Sequence, residues 1–272
     1  MNPTSPALDW PKLLLDPSCS RLSKPRAAGL TMVMDKGMGM HAFEDMIMTS
    51  HEHMDVIKLG FGTSVIVPRA IIEAKTKLAK AHNLLIMPGG TLLELAFIQG
   101  VVHDFFHMMR SLGFNAIEVS DGTISLSRKE RNTLIHLAIQ YGFHVSTEYG
   151  KKLEHSEFVL DQLAETYLED LANGAEWMTL EGRESGAGVG IYHSNGSCDQ
   201  ELVDAILNSI PHPDQLMWEA PNKNQQLFIL KRAGTNVSLG NVGSQDIIAL
   251  EALRRGLRSD TMIDHVAYHY DI

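Results

Sequence analysis

Apolar positions along this chain fall into two alternating rhythms. Short, nearly unbroken apolar runs occur at TMVMD (31–35), MDVIKLG (54–60), LLIMPGG (84–90) and NAIEVSDG (115–122). Four more follow: HVSTEYG (144–150), WMTLEG (177–182), LMWEAP (216–221) and NVSLGN (236–241). Between them lie longer segments whose apolar residues recur every three to four positions, as over 128–141, 155–173, 199–208 and 244–256. The short runs predict strands and the longer segments helices. Gly113, Gly142, Gly174 and Gly234 stand before several strands as turn residues. Eight such units over 30–272 predict a (β/α)8 TIM barrel of parallel strands, preceded by an irregular Pro- and Ser-rich arm over 1–29. Continuous rather than alternating apolar runs suit parallel strands buried on both faces. Periodicity alone leaves a doubly wound open sheet as the rival.

Polar residues then gather where the strands end. The first strand runs into Asp35-Lys36-Gly37, the second carries Lys58, and the third ends in Gly89-Gly90. Glu118 and Asp121, then Glu148, Lys151 and Lys152, then Glu181, Arg183 and Glu184, follow on the fourth to sixth. Glu219 closes the seventh and Gly240-Asn241 the eighth. In a barrel these ends converge on one face, where such folds place their chemistry. The stretch WMTLEGRESGAGVGIY (177–192) passes from strand into a glycine-rich loop, which would let backbone close over a ligand. Carboxylates of Asp35, Glu118, Asp121, Glu148, Glu181 and Glu219 are hard oxygen donors suited to Mg²⁺. With Lys36, Lys58, Lys151, Lys152 and Arg183 beside them, they point to an anionic substrate bridged by a metal. LGNVGSQD (239–246) enters a helix with Ser244 as the expected N-cap, so its backbone N–H groups would face an anion.

Composition excludes other classes. The 272 residues carry a net charge of −10 with no basic run, against a nucleic-acid or acidic-membrane role. No apolar stretch reaches the roughly 20 residues of a membrane span, and the N-terminus does not read as a secretory signal. Two distant cysteines, Cys19 and Cys198, suit a reduced, cytoplasmic protein. GFGTSV (60–65) lacks the last glycine of a dinucleotide fingerprint, and GRESG (182–186) misplaces the serine of a nucleophile elbow. His103 and His107 share a helix face without a third ligand nearby and read as a solvated pair. The methionines read as core filling.

Several of these stretches resemble the phosphosulfolactate synthase family. They are KPRAAGLTMVMDKGMG (24–39), DVIKLGFGTS (55–64), MPGGTLLELA (87–96) and LGFNAIEVSDGTISL (112–126). STEYGKK (146–152), GAEWMTLEGRESGAGVGIY (174–192), EAPNKNQQLFIL (219–230) and EALRRGLRSDT (251–261) continue the likeness in order. The resemblance implies a (β/α)8 barrel that adds sulfite to phosphoenolpyruvate with Mg²⁺, giving (2R)-phospho-3-sulfolactate for sulfolactate or coenzyme M biosynthesis. It makes the chain a lyase-class enzyme, and a homo-oligomer is expected. Plant heat-stress-associated proteins look similar, so a non-catalytic protein on the same barrel is the alternative. A different Mg²⁺-dependent reaction on an enol phosphate would use the same residues. The resemblance points to Lys152 as the proton donor to C2, with Lys151 as its rival. Arg183, Lys36 and Lys58 would bind phosphate or sulfite, with Gly89, Gly90, Gly240 and Asn241 shaping the substrate site. Glu148 and Glu181 lead the metal candidates, followed by Asp35 and Glu118.

Overall fold

The computed structural model describes residues 10–151 and 158–265, with the side chains of 263–265 left aside. Eight parallel strands alternate with helices, as the rhythm of the sequence predicts. The strands are β1 (Thr31–Asp35), β2 (Val56–Leu59), β3 (Leu85–Pro88), β4 (Ala116–Val119), β5 (His144–Tyr149), β6 (Trp177–Leu180), β7 (Leu216–Glu219) and β8 (Ser238–Gly243). After a short α1 (Lys12–Leu15) in the arm, α2 (Met40–Ser50) and α3 (Arg69–Ala81) follow β1 and β2. Two helices, α4 (Thr91–Ile98) and α5 (Val102–Ser111), separate β3 from β4. Then come α6 (Arg128–Gln140), α7 (Leu160–Ala172), α8 (Gln200–Ser209), α9 (Lys223–Ala233), α10 (Ile247–Arg254) and α11 (Ser259–His265).

Local chemistry sets several boundaries. Ser127 and Glu130 form a reciprocal capping box that starts α6, and the Asp199 carboxylate accepts from the Leu202 N–H to start α8. The expected cap at Ser244 is displaced: β8 runs on to Gly243, and α10 starts only at Ile247, after Asp246.

Hydrogen bonding links the strands in the order β3-β2-β1-β8-β7-β6-β5-β4. The remaining seam, between β3 and β4, is closed by Asn115 instead of a regular ladder. Its backbone N–H donates to the Ile86 carbonyl at 3.3 Å. Its side-chain Oδ1 accepts from the Ile86 N–H at 2.7 Å, and its Nδ2 donates to the Leu84 carbonyl at 3.1 Å. One side-chain amide thus does the work of a peptide group and rounds the sheet into a barrel.

Two apolar regions follow from closure. Outside the barrel, strand residues such as Val33, Ile57, Ile86, Ile117 and Met178 pack against the helices. Inside, Met32, Val56, Met87, Ala116, Trp177 and Met217 form a floor. The arm closes the opposite end: Arg26 pairs with Asp55 at 2.9 Å, Arg21 with Glu251 at 3.1 Å, and Lys24 donates to the carbonyls of His51 and Met54. The arm contacts leave a hollow of about 640 Å³ at that end, lined by Lys24, Arg26, Asp55 and Trp177, while the ionisable residues at the strand ends gather at the other, above the apolar floor.

Candidate active site

Lys58, on β2, lies in the lumen above the floor. Its Nζ donates to Glu118 on β4 at 2.8 Å, to Glu219 on β7 at 3.2 Å and to Glu148 on β5 at 3.3 Å. All four side chains are buried. Burial alone pushes the Lys58 ammonium down, but the charges of Glu118, Glu219 and Glu148 outweigh it and hold the group well above the ordinary lysine range. Lys58 is therefore a fixed cation at neutral pH, and the strand ends are cross-tied through it.

The carboxylates are oriented by backbone donors. The Gly90 N–H donates to Glu118 Oε1 at 3.0 Å, the Gly182 N–H to Glu219 Oε2 at 2.9 Å and the Arg183 N–H to Glu181 Oε1 at 2.6 Å. Glycine at 90 lets these side chains approach: a Cβ there would lie 2.4 Å from Ser120 Oγ and 3.0 Å from Glu118 Oε1. Above this ring opens a cleft of about 460 Å³, within the usual range of small-molecule sites. Its charged lining is Lys58 and Arg183 against Glu118, Glu148, Glu181, Glu184 and Glu219. Phe61, Arg183 and Asn241, all on its wall, adopt left-handed backbone at φ 57°, 57° and 54°. Such conformations are uncommon outside glycine and gather where a site needs a side chain at a fixed angle. Asn241 is 6% exposed, and its Oδ1 is buried with no partner among the described residues.

The glycine-rich stretch after β6 is held rather than loose. Gln225 on α9 donates through Nε2 to the Gly186 and Gly196 carbonyls at 2.7 and 2.9 Å, and Asn222 Nδ2 donates to the Ser185 carbonyl at 3.1 Å. Tyr192 O–H donates to the Glu219 carbonyl. At Gly190, φ is 58° and a Cβ would lie 2.5 Å from the Glu181 carbonyl oxygen. The glycine there permits close packing beneath the carboxylate ring, so the expectation of a loop free to close over a ligand gives way to a pinned rim.

The predicted residues divide. Lys58, Gly89, Gly90, Glu118, Glu148, Glu181, Arg183 and Asn241 come together on the cleft wall. Asp35 is engaged elsewhere: Lys75 donates to its Oδ2 at 2.5 Å, and the Gly37 and Met38 N–H groups donate to its Oδ1. Lys36 pairs with Glu184 at the rim. Lys151 donates to the carbonyls of Asp121 and Ile124 and to Asp121 Oδ2, around a second hollow shared with Arg128 and Arg131. Gly240 sits against the floor, where a Cβ would meet Met32 at 2.7 Å. Lys152 lies outside the described residues. His103 and His107 both meet the Tyr141 hydroxyl, at 3.0 and 3.3 Å. Among the described residues, no three His, Cys, Asp or Glu side chains are arranged to hold a metal ion between them, and no helix is long and apolar enough to cross a membrane.

Supporting residues on the helices were not legible as site residues. Glu94 on α4 accepts from Ser120 O–H and from the Gly122 and Thr123 N–H groups, fixing the turn after β4. Arg131 on α6 bonds both Asp170 oxygens, Asp121 and the Glu148 carbonyl. The signal was a charged or amide residue inside an apolar stripe, as Arg131 is with Leu134, Ile135 and Ala138.

Comparison with known proteins places the chain in a family. A family model described as (2R)-phospho-3-sulfolactate synthase (ComA) matches residues 19–260. A phosphosulfolactate synthase of Methanothermobacter thermautotrophicus is 38% identical over 244 residues, covering 89% of this chain and 94% of that protein. One of Bacillus subtilis is 37% identical over 245 residues, covering 89% and 95%. Among solved structures, 3-hexulose-6-phosphate synthase from Salmonella typhimurium aligns with a TM-score of 0.54 at 12% identity, covering 87% of this chain and 100% of that one, a likeness of fold alone.

Proposed function

We propose that this chain, which belongs to the (2R)-phospho-3-sulfolactate synthase family of enzymes, joins sulfite to phosphoenolpyruvate in the cleft around Lys58. The observation that carries the reading is the buried ammonium ringed by Glu118, Glu148 and Glu219 at the strand ends. In the reaction, the sulfur lone pair of sulfite forms a bond to C3. The C2–C3 π pair moves to C2, charge spreads into the adjacent carboxylate, and a proton is added at C2. Nothing leaves, and the phosphate stays on its oxygen.

Five carboxylates against two cations on the cleft wall would repel two anionic substrates, so a divalent cation suits the balance. The donors fit Mg²⁺, which takes one or two carboxylates and completes its shell with water and substrate oxygens. Glu148 and Glu181 would hold it. When bound, it supplies charge stabilisation to the substrate carboxylate as the C–S bond forms.

The chain's own residues supply the remainder. Arg183 offers a planar fork to phosphate or sulfite oxygens. Its left-handed backbone and the rim pinned by Gln225 set where that side chain starts. Lys58 holds three carboxylates in place and stays charged at the cleft base. Asn241 Oδ1, buried and unpartnered among the described residues, would accept from a bisulfite hydroxyl or an ordered water. Lys152 is the proposed proton donor to C2, on the family resemblance of STEYGKK (146–152). The test is to incubate purified protein with phosphoenolpyruvate and sulfite and to follow the products by phosphorus NMR. Phosphosulfolactate is expected with Mg²⁺ present and its formation should stop after exhaustive EDTA treatment. Full activity in EDTA would remove the metal from the account, and no product in either case would remove the reaction.

A further inference from the structure

The rim carries an ion pair that spans the mouth. Lys36 Nζ lies 2.5 Å from Glu184 Oε1. Lys36 directly follows β1, and Glu184 belongs to the loop after β6; β8 and β7 lie between those strands in the barrel. The pair therefore joins two separate parts of the rim, with Glu184 on the cleft wall beside Arg183. Both backbones are fixed. Asp35, beside Lys36, is tied to Lys75 and to two N–H groups of its own turn. The Glu184 loop is tied at Gly182 by Glu219 and at Ser185 and Gly186 by Asn222 and Gln225. The two side chains, in contrast, are 51% and 46% exposed.

We propose that Lys36 and Glu184 form an exchangeable bar, in which Glu184 holds the Lys36 ammonium over the mouth until a dianionic group of the substrate takes it over. This rests on the phosphoenolpyruvate reading above. The exchange is easy because an exposed ion pair is weak: about 1 kcal/mol at most, or roughly fivefold in an equilibrium constant. A phosphate dianion offers Lys36 more charge than one carboxylate does. Glu184 then serves as a selectivity residue, since a ligand lacking a dianionic group gains nothing by breaking the pair.

A double-mutant cycle read by calorimetric titration with phosphoenolpyruvate in the presence of Mg²⁺ tests the bar. The titrations are run at an ionic strength of about 0.15 M, where charges more than about 8 Å apart are largely screened. Glu184→Gln should tighten binding about two- to fivefold, and Lys36→Met should weaken it. In the Lys36→Met background, Glu184→Gln should gain less than about 1.5-fold, because there is no ammonium left to release. An equal gain in both backgrounds would show that Glu184 is only a repelling charge, and no gain in either would show an inert surface pair; both overturn the bar. If the unmutated protein binds no phosphoenolpyruvate at all, the substrate reading falls and the bar falls with it.

Discussion

A buried lysine left alone tends to lose its proton; Lys58 keeps its own because three glutamates from three different strands surround it. That group was legible in the sequence because each member stands at or beside a strand end, where a charge has no place in an apolar core. Its division of labour was not legible. Asp35 and Lys58 look alike on paper, yet one ties a turn to Lys75 and the other centres the cleft. Lys151 is similarly committed to Asp121 and Ile124. Two adjacent lysines should therefore behave differently on substitution. Lys152→Ala is expected to lower kcat by about 10²–10⁴-fold with phosphoenolpyruvate binding nearly kept, as for a lost general acid. Lys151→Ala should act mainly through its turn, with a smaller fall in kcat. Steady-state kinetics with each substrate varied in turn separate them, and a normal kcat for Lys152→Ala would take Lys152 out of the chemistry.

At the scale of elements, the eight strands were legible because period and punctuation agreed: β1 and the run TMVMD coincide at 31–35. The boundary of α10 was missed because Ser244 looks like a cap while the backbone stays extended through Gly243. The loop after β6 was misjudged for a different reason. Glycine allows mobility and also close approach, and only the partners from α9 decide between them. The seam between β3 and β4 is another feature that local pattern does not disclose, since Asn115 reads only as the first residue of the run NAIEVSDG (115–122). Asn115→Leu would leave the Ile86 N–H and the Leu84 carbonyl without their side-chain partners. The expected loss is about 2–3 kcal/mol of unfolding free energy, from polar groups left unsatisfied. Urea denaturation measures it; a change under about 0.5 kcal/mol would mean that the seam is held by something else.

For the molecule as a whole, the two barrel ends have different tasks. The arm, through its Arg21, Lys24 and Arg26 contacts, packs on one end beneath an apolar floor. The other end concentrates carboxylates around one buried cation, in a chain whose net charge is already −10. The field of the whole protein therefore does not draw in an anionic substrate, and attraction falls to the cations at the mouth and, in the proposed reading, to Mg²⁺. The central claim is that phosphoenolpyruvate reacts in the cleft around Lys58. A crystal structure of the protein soaked with phosphoenolpyruvate and Mg²⁺ tests it most directly. The account predicts the ligand above Glu118, Glu148 and Glu219, its phosphate near Arg183 or the turn that follows β8. Phosphoenolpyruvate bound at the arm-covered end, with the Lys58 cleft empty, would contradict it.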